Sequence, residues 1–205
     1  MKIQIHQPKH KGFTLVELLV VIVIIAILSA LGFAVATNAL QKARMVASQS
    51  SATNVANSVE AFYSEYHVLP APFAGAPDDD NTPAFRTDAN TGIEILEVLS
   101  RLEPESDDMQ NDRKMLFLNV KEAEKAKSGG IVYSSTGDNV VGLYDSWGQP
   151  FYIVIDYGYD SRLQFSVETT AYSYNVSLNN KRVAVYSLGT DDPGEAKRKN
   201  LVKTW

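Results

Sequence analysis

The sequence LLVVIVIIAILSALGFAVA, residues 18–36, contains no charged residue. With the residues just before it, it forms an apolar segment of 24 residues, 13–36. As an α-helix this segment would be roughly 36 Å long, enough to cross a hydrocarbon core of about 30 Å. Lysines occur before the segment, in residues 1–12, where no acidic residue is found. The positive-inside rule therefore places residues 1–12 in the cytoplasm and the rest of the chain outside.

Two common kinds of segment share this pattern. One is a secretory signal peptide, for which Ala34-Val35-Ala36 offers a cleavage site of small residues. The other is a plain signal anchor. Neither accounts for Glu17, since a carboxylate in lipid costs about 2.5–3.5 kcal/mol at mid-helix and less near the interface.

The junction KGFTLVE, residues 11–17, resembles the processing signature of type IV prepilins. In that family a short basic leader ends in glycine, a membrane prepilin peptidase cuts after the glycine, and the new terminal residue is methylated. The resemblance implies cleavage between Gly12 and Phe13 and N-methylation of Phe13. It also implies that residues 1–12 are a cleaved leader, and that Glu17 is the glutamate found at the fifth position of the mature chain.

This resemblance suggests a role for Glu17. An unpaired charge in an apolar fibre core should cost several kcal/mol. Cleavage would expose a positive amine on Phe13, and methylation would keep that charge. We expect Glu17 to pair with the Phe13 amine of a neighbouring subunit, in competition with the amine of its own chain.

Beyond residue 36 the sequence continues as an amphipathic helix. Apolar residues recur three and four positions apart, and no proline interrupts residues 13–69. These features predict one helix from residue 13 to about 66, ended with the help of Pro70. Residues 13–36 would form its membrane or fibre-core half, and residues 37–69 would continue into a globular head. The predicted core-facing positions are Ala52, Val55, Val59, Phe62 and Tyr66.

Residues 70–205 are expected to form a periplasmic head. Residues 70–92 read as a loop, residues 93–102 as a short helix closed by Pro104, and residues 120–127 carry a helical pattern that stops at Gly129-Gly130. The last third is β-like: residues 151–155 are β-prone, residues 172–178 alternate, and a turn at residues 179–180 precedes a return over 183–186. The predicted fold class is α+β, a pilin-like long helix packed on a small antiparallel sheet of three or four strands.

Two segments of the head are similar to major pseudopilins of type II secretion systems. DSWGQPFY, residues 145–152, resembles their Asp-Pro-Trp-Gly-x-Pro-Tyr segment, with Ser146 in place of the proline. Residues 185–194 resemble their Ser-x-Gly-x-Asp-Gly loop, and Trp205 matches a tryptophan near the C-terminus. Residues 71–144 are longer than in that family, and Lys197-Arg198-Lys199 replaces an acidic, glycine-rich tail.

The loop carries a candidate calcium site. Calcium prefers six to eight oxygen ligands, and oxygen-bearing side chains crowd this turn. The alternative is a turn whose acids cap backbone amides, because the family's further acidic ligands are not matched here. No cofactor is required, and Ca²⁺ is the one cofactor considered. The candidate ligands are Ser187, Asp191, Asp192 and Glu195.

The chain lacks the residues of common catalytic sites. It contains no cysteine, two of its three histidines are in the leader, and no phosphate-binding glycine loop is present. Subtracting three leader lysines from the 19 basic residues leaves 16 against 24 acidic residues, a net charge of −8 that disfavours nucleic acid. We therefore expect no enzyme and no nucleic-acid partner.

The resemblance implies a structural subunit of the bacterial inner membrane, single-pass at first and then part of a pseudopilus for type II secretion. Its partners would be the inner membrane, prepilin peptidase, copies of itself, other pseudopilins and the secretion assembly platform. One alternative is a major or minor pilin of a type IV pilus that serves adhesion, motility or DNA uptake. Another is a binding domain or enzyme on a membrane tether.

Overall fold

The computed structural model describes residues 12–77, 83–125, 128–168, 173–189 and 201–205, and within residues 30–35 it describes the backbone only. The chain divides into two compact units, residues 1–42 and 43–205. The described part of the first unit consists of residues 12–14 and the beginning of helix α1, which spans Leu15–Tyr66. The bounds confirm the predicted long helix, with a start two residues later than expected.

In the first unit the apolar side chains of α1 are exposed, from Leu15 to Leu28. Among the residues whose side chains the structure describes, no helix combines the length and the apolar character needed to cross a membrane.

The described residues of the second unit form the rest of α1, a second helix and eight strands. Four strands form an antiparallel sheet in the order β1-β4-β7-β8, while β2 pairs with β3 and β5 pairs with β6. The α+β prediction with a small antiparallel sheet is confirmed. The elements are β1 Phe85–Arg86, α2 Asn90–Leu99, β2 Gly130–Tyr133, β3 Val140–Tyr144, β4 Phe151–Ile155, β5 Arg162–Glu168, β6 Ser173–Asn179, β7 Val183–Ser187 and β8 Val202–Lys203.

One face of the four-stranded sheet packs against the two helices. Successive side chains of a strand point to opposite faces, so alternate residues of β4 and β7 contribute to this core. On α1, four of the five predicted positions, Ala52, Val55, Val59 and Phe62, are fully buried, which confirms the periodicity argument. The fifth, Tyr66, is half-buried against the same core. The sheet residues of this core are Phe151, Ile153, Ile155, Val183 and Val185.

The opposite face of the sheet is covered by the hairpin of β5 and β6. Val154, Ala184 and Tyr186 pack there against the inner side of the hairpin. Because both faces of β4 and β7 are covered, these strands read as nearly continuous apolar runs. The hairpin residues of this second core are Leu163, Phe165, Val167 and Val176.

Helix α2 ends earlier than predicted. The sequence suggested that it would continue to residue 102, but its last helical residue is Leu99. Arg101 adopts a left-handed conformation with φ of 57°, and the N–H of Leu102 donates to the carbonyl of Glu97 at 2.8 Å. This is the C-terminal arrangement of a Schellman motif, which ends a helix without proline.

The helix predicted over residues 120–127 is wrong for the residues described there, 120–125. The backbone of residues 121–123 bonds to β2 instead of to itself, since Ile131 N–H donates to Lys121 and Ala123 N–H donates to Ile131. A Cβ on Gly130 would lie 2.3 Å from the carbonyl oxygen of Lys121, so this close approach requires glycine.

The pairing implied for the last strands is also corrected. Asn180 does form a turn, with φ of 58°, after β6. The following strand β7 pairs with β4 and β8, and β6 pairs with the preceding strand β5. The turn was recognised locally, but the partner of each strand depends on residues far apart in sequence.

Candidate functional site

The predicted processing junction lies just before helix α1. Gly12 and Phe13 are not part of the helix, and both are exposed, with Phe13 75% accessible. A Cβ built on Gly12 would meet nothing within 4 Å. Both residues that flank the predicted cleavage bond are therefore accessible among the described residues.

Thr14 and Glu17 cap the first turn of α1. The N–H of Glu17 donates to Oγ1 of Thr14 at 3.2 Å, and Oε2 of Glu17 accepts the N–H of Thr14 at 2.9 Å and its hydroxyl at 2.7 Å. This reciprocal arrangement is a capping box, which satisfies backbone donors that the start of a helix leaves without partners. The carboxylate also lies at the helix end that favours negative charge.

Sequence reasoning missed this role of Glu17. The signal was available, since Thr-x-x-Glu before an apolar run is the usual sequence of a capping box. In the uncut chain the Phe13 nitrogen belongs to a peptide bond, so the predicted ion pair between Glu17 and a Phe13 amine stays a prediction.

A second candidate site joins the two segments that resemble pseudopilins. Asp145 and Ser187 are buried, and the hydroxyl of Ser187 donates to Oδ2 of Asp145 at 2.5 Å. Oδ1 of Asp145 accepts the N–H groups of Trp147 and Gln149, both at 2.8 Å. The N–H of Gly189 donates in turn to Oγ of Ser187 at 3.2 Å. The two segments are thus held together through one carboxylate.

The same loop is attached to helix α1. The N–H of Ser146 donates to Oγ of Ser48 at 2.9 Å, and Ser48 is buried on α1. A proline at position 146, as in the resembled segment, has no N–H and would leave Ser48 without this donor. Gly148 has φ of 86°, a left-handed conformation that favours glycine in this turn.

Trp205 closes the second core at the C-terminus. Its ring meets Phe165 edge-on at 5.5 Å between centroids and Tyr186 edge-on at 6.0 Å. Lys203 Nζ lies 5.4 Å from the centre of the Trp205 ring. Burial raises the pKa of the Tyr186 phenol, which keeps it neutral in this stack. Trp205 is therefore half-buried and packs against the margin of the second core.

The described residues do not assemble a calcium site. The hydroxyl of Ser187 is engaged with Asp145, and Asp191, Asp192 and Glu195 lie outside the described residues. Among the described residues, no three histidine, aspartate or glutamate side chains are grouped to hold a metal ion. Calcium binding stays a prediction, which melting curves of the chain with and without chelator check.

Comparison with known proteins finds one family model that matches. Residues 7–33 match the model of the prokaryotic N-terminal methylation motif. The match covers the junction at Gly12 and Phe13 and the first part of α1. It supports the interpretation of this segment as that of a type IV pilin-like precursor. Neither the curated proteins nor the solved structures include one that matches the chain.

Proposed function

We propose that the chain is a pilin-like structural subunit that prepilin peptidase cuts between Gly12 and Phe13 and that then polymerises into a pseudopilus for type II protein secretion. The observation that carries this proposal is the junction at residues 11–17, inside the segment that matches the methylation motif.

The apolar half of α1 would serve two environments in turn. Residues 18–36 carry no charge, so they suit lipid before assembly and the apolar core of a fibre afterwards. Glu17, close to the cytoplasmic end, would reach the headgroups while the helix is in the membrane. The head would remain outside, with α1 as its connection to the membrane.

Assembly would change the partner of Glu17. In the fibre core a charge without a partner costs several kcal/mol, so a subunit docked out of register would be disfavoured. Cleavage would free the α-amino group of Phe13, which carries a positive charge. The Phe13 amine of the next subunit would then pair with the Glu17 carboxylate. The capping box is the competing arrangement within the chain, because its Oε2 acceptor is the same carboxylate.

The type II assignment rests on the head. The segments at residues 145–152 and 185–194 resemble major pseudopilins, and their described parts are joined by Asp145 and Ser187. The chain has no cysteine, so it lacks the C-terminal disulfide loop of many type IV pilins. The alternative is a type IV pilin, for which the same processing would hold.

Mass spectrometry of the mature N-terminus tests the processing. We expect a chain that begins with N-methylated Phe13 in cells that contain prepilin peptidase, and the intact precursor in cells that lack it. A chain beginning at Thr37 would identify a signal peptidase product, and an intact Met1 in both strains would identify a plain anchor. Either result would overturn the proposal.

Deletion of the gene separates the two kinds of fibre. We expect the deletion to leave exported proteins in the periplasm while surface pili and twitching motility persist, and we expect the wild-type gene to restore secretion. Loss of surface pili with normal secretion would instead identify a type IV pilin.

A further inference from the structure

Among the described residues, strand β6 forms one edge of its two-stranded sheet and has a strand neighbour on one side only. Its seven residues, Ser173–Asn179, pair on one side with β5 in antiparallel register, with Val176 opposite Phe165. Within the described part of the chain, no backbone hydrogen bond joins β6 to any other strand. An edge strand presents a row of N–H and C=O groups that another strand can pair with.

The edges of the four-stranded sheet and the β5 side of the hairpin are protected against such pairing. The four-stranded sheet ends in β1 and β8, each only two residues long and each carrying a basic residue, Arg86 and Lys203. Strand β5 carries charges at both ends, Arg162 and Glu168, and it also contacts β4. Short strands and charges are the usual protection of sheet edges. Strand β6 is long and has no charge and no proline.

The sequence of β6 is self-complementary about its central residue. In an antiparallel pair of two β6 strands centred on Val176, Tyr174 would face Leu178 of the second copy on the inner side. On the outer side Asn175 would face Ser177, and Ser173 would face Asn179. Each pair is thus either apolar with apolar or amide with hydroxyl, the kinds of cross-strand pair that stabilise sheets.

We propose that the β6 edge is a homotypic interface, at which a second copy of this chain adds its own β6 in antiparallel register centred on Val176. The two hairpins then form one four-stranded sheet in the order β5-β6-β6-β5. Tyr174 and Leu178, which are half-buried at the margin of the second core, become covered by each other.

The contact is small, because it involves seven residues of each copy, and such pairing is weak between freely diffusing molecules. It becomes effective where heads are already held near each other, since tethering raises the effective concentration. The inference rests on β6 alone and does not depend on cleavage at Gly12 or on the proposed function.

Disulfide trapping tests the register. The chain has no cysteine, so every introduced thiol is unique. Asn175 and Ser177 are exposed, and residues opposed in an antiparallel pair lie about 4.5–5.5 Å apart between Cα atoms, within the range of a disulfide. Full-length chains with Asn175→Cys and with Ser177→Cys are prepared in detergent, oxidised separately and in equimolar mixture, and resolved on non-reducing gels.

We expect the mixture to form disulfide-linked dimers several-fold faster than either chain alone. In a pair centred on Val176, Asn175 lies directly opposite Ser177 of the second copy, whereas two residues with the same number lie diagonally and farther apart. The matched control is a mixture of Gln164→Cys and Ser166→Cys chains, which would face each other if β5 were the interface. Association of the apolar helices in detergent affects all samples equally. A mixture no faster than the separate chains, or equally fast trapping through β5, would overturn the proposal.

A charge exchange gives an independent measurement. A chain with Asn175→Lys and Ser177→Lys places like charges directly opposite each other in the proposed pair, and so does a chain with Asn175→Glu and Ser177→Glu. We expect weaker self-association of each variant and restored association of the two together in sedimentation equilibrium. If the Lys variant and the Glu variant, each measured separately, self-associate as strongly as the wild type, the proposed interface is wrong.

Discussion

The hydroxyl of Ser187 donates a 2.5 Å hydrogen bond to the carboxylate of Asp145, and both residues are buried although 42 positions separate them. Asp145 follows β3, and Ser187 is the last residue of β7. Through this bond the loop after β3, the end of the central strand β7 and, through Ser146, helix α1 are fixed to one another. We infer that this contact stabilises the head.

Replacement of Asp145 should therefore destabilise the head strongly. Asp145→Ala leaves the N–H groups of Trp147 and Gln149 and the Ser187 hydroxyl without their acceptor, which we expect to cost about 3 kcal/mol or more. Ser187→Ala removes one donor and should cost about 1–2 kcal/mol. Urea unfolding of the full chain in mild detergent, followed by tryptophan fluorescence, measures both. The exposed Asp138→Ala is the control, and an equal loss there would refute the explanation.

Gly92 should not tolerate a side chain. It lies in the first turn of α2, and an added Cβ would be 1.9 Å from the carbonyl oxygen of Arg86. Alanine favours a helix over glycine by about 1 kcal/mol, but the clash with rigid backbone should outweigh this and give a net loss of about 2 kcal/mol.

The matched control for Gly92→Ala is the neighbouring Thr91→Ala. Thr91 is exposed in the same helical turn, so its replacement should change the free energy of unfolding by less than about 0.5 kcal/mol. If the two variants unfold at the same urea concentration, the close contact between α2 and β1 is not maintained in solution.

The buried carboxyl of Glu97 should make the free energy of unfolding depend on pH. It is nearly buried on α2 and accepts the N–H of Val140 at 3.0 Å. Burial raises the pKa of Glu97, the Val140 N–H opposes the shift, and the charge of Glu94 adds to it. The folded state then holds the proton more tightly than the unfolded state, so this contribution is present below the unfolded pKa and is lost as pH rises through the folded pKa.

Glu97→Gln should remove this dependence. The neutral amide can still accept from Val140, so the stability of the variant relative to the wild type should increase from acidic to neutral pH and then level off. Unfolding curves at a series of pH values measure the difference. Glu105→Gln is the control: Lys114 lowers the pKa of this exposed carboxyl, so any change there should have the opposite sign. A difference for Glu97→Gln that does not vary with pH would contradict the prediction.

Variants of Glu17 separate the charge from the cap. Glu17→Leu removes both, whereas Glu17→Gln removes the charge and keeps an acceptor for the Thr14 N–H. We expect membrane insertion and cleavage to persist in both variants and fibre assembly to be lost in both, since the proposed partner is a positive amine.

Thr14→Val completes this comparison, because it removes the capping hydroxyl and keeps the charge of Glu17. It should weaken the first turn by about 1 kcal/mol and leave assembly intact. Cleavage is read by mass spectrometry and assembly by the yield of sheared fibres. Assembly by Glu17→Gln but not by Glu17→Leu would show that the cap, and not the charge, is required.

The sequence predicted the features that repeat along one element. The three- and four-residue spacing of Ala52, Val55, Val59 and Phe62 located the buried face of α1, and the run at residues 151–155 located β4. Strand β5 was not predicted, although Leu163, Phe165 and Val167 alternate in the usual way.

Other features depend on contacts that no local pattern carries. Local sequence does not identify the contacting residue in three cases. These are the approach of Gly92 to Arg86, the pairing of β7 with β4, and the hydrogen bond between Ser187 and Asp145. The capping box could have been predicted from the Thr14-x-x-Glu17 pattern, but it was missed because Glu17 was interpreted only through its charge.

The position of the capping box has a consequence for the timing of processing. All of its hydrogen bonds lie on the C-terminal side of the bond between Gly12 and Phe13, so hydrolysis there breaks none of them. The proposed cut would therefore not require the first turn of α1 to unwind, and the capping box could persist until a Phe13 amine takes its place as the partner of Glu17. If the chain is processed as proposed, uncut chains would already have this turn formed, and the supply of new subunits would depend on the peptidase and not on folding of the turn.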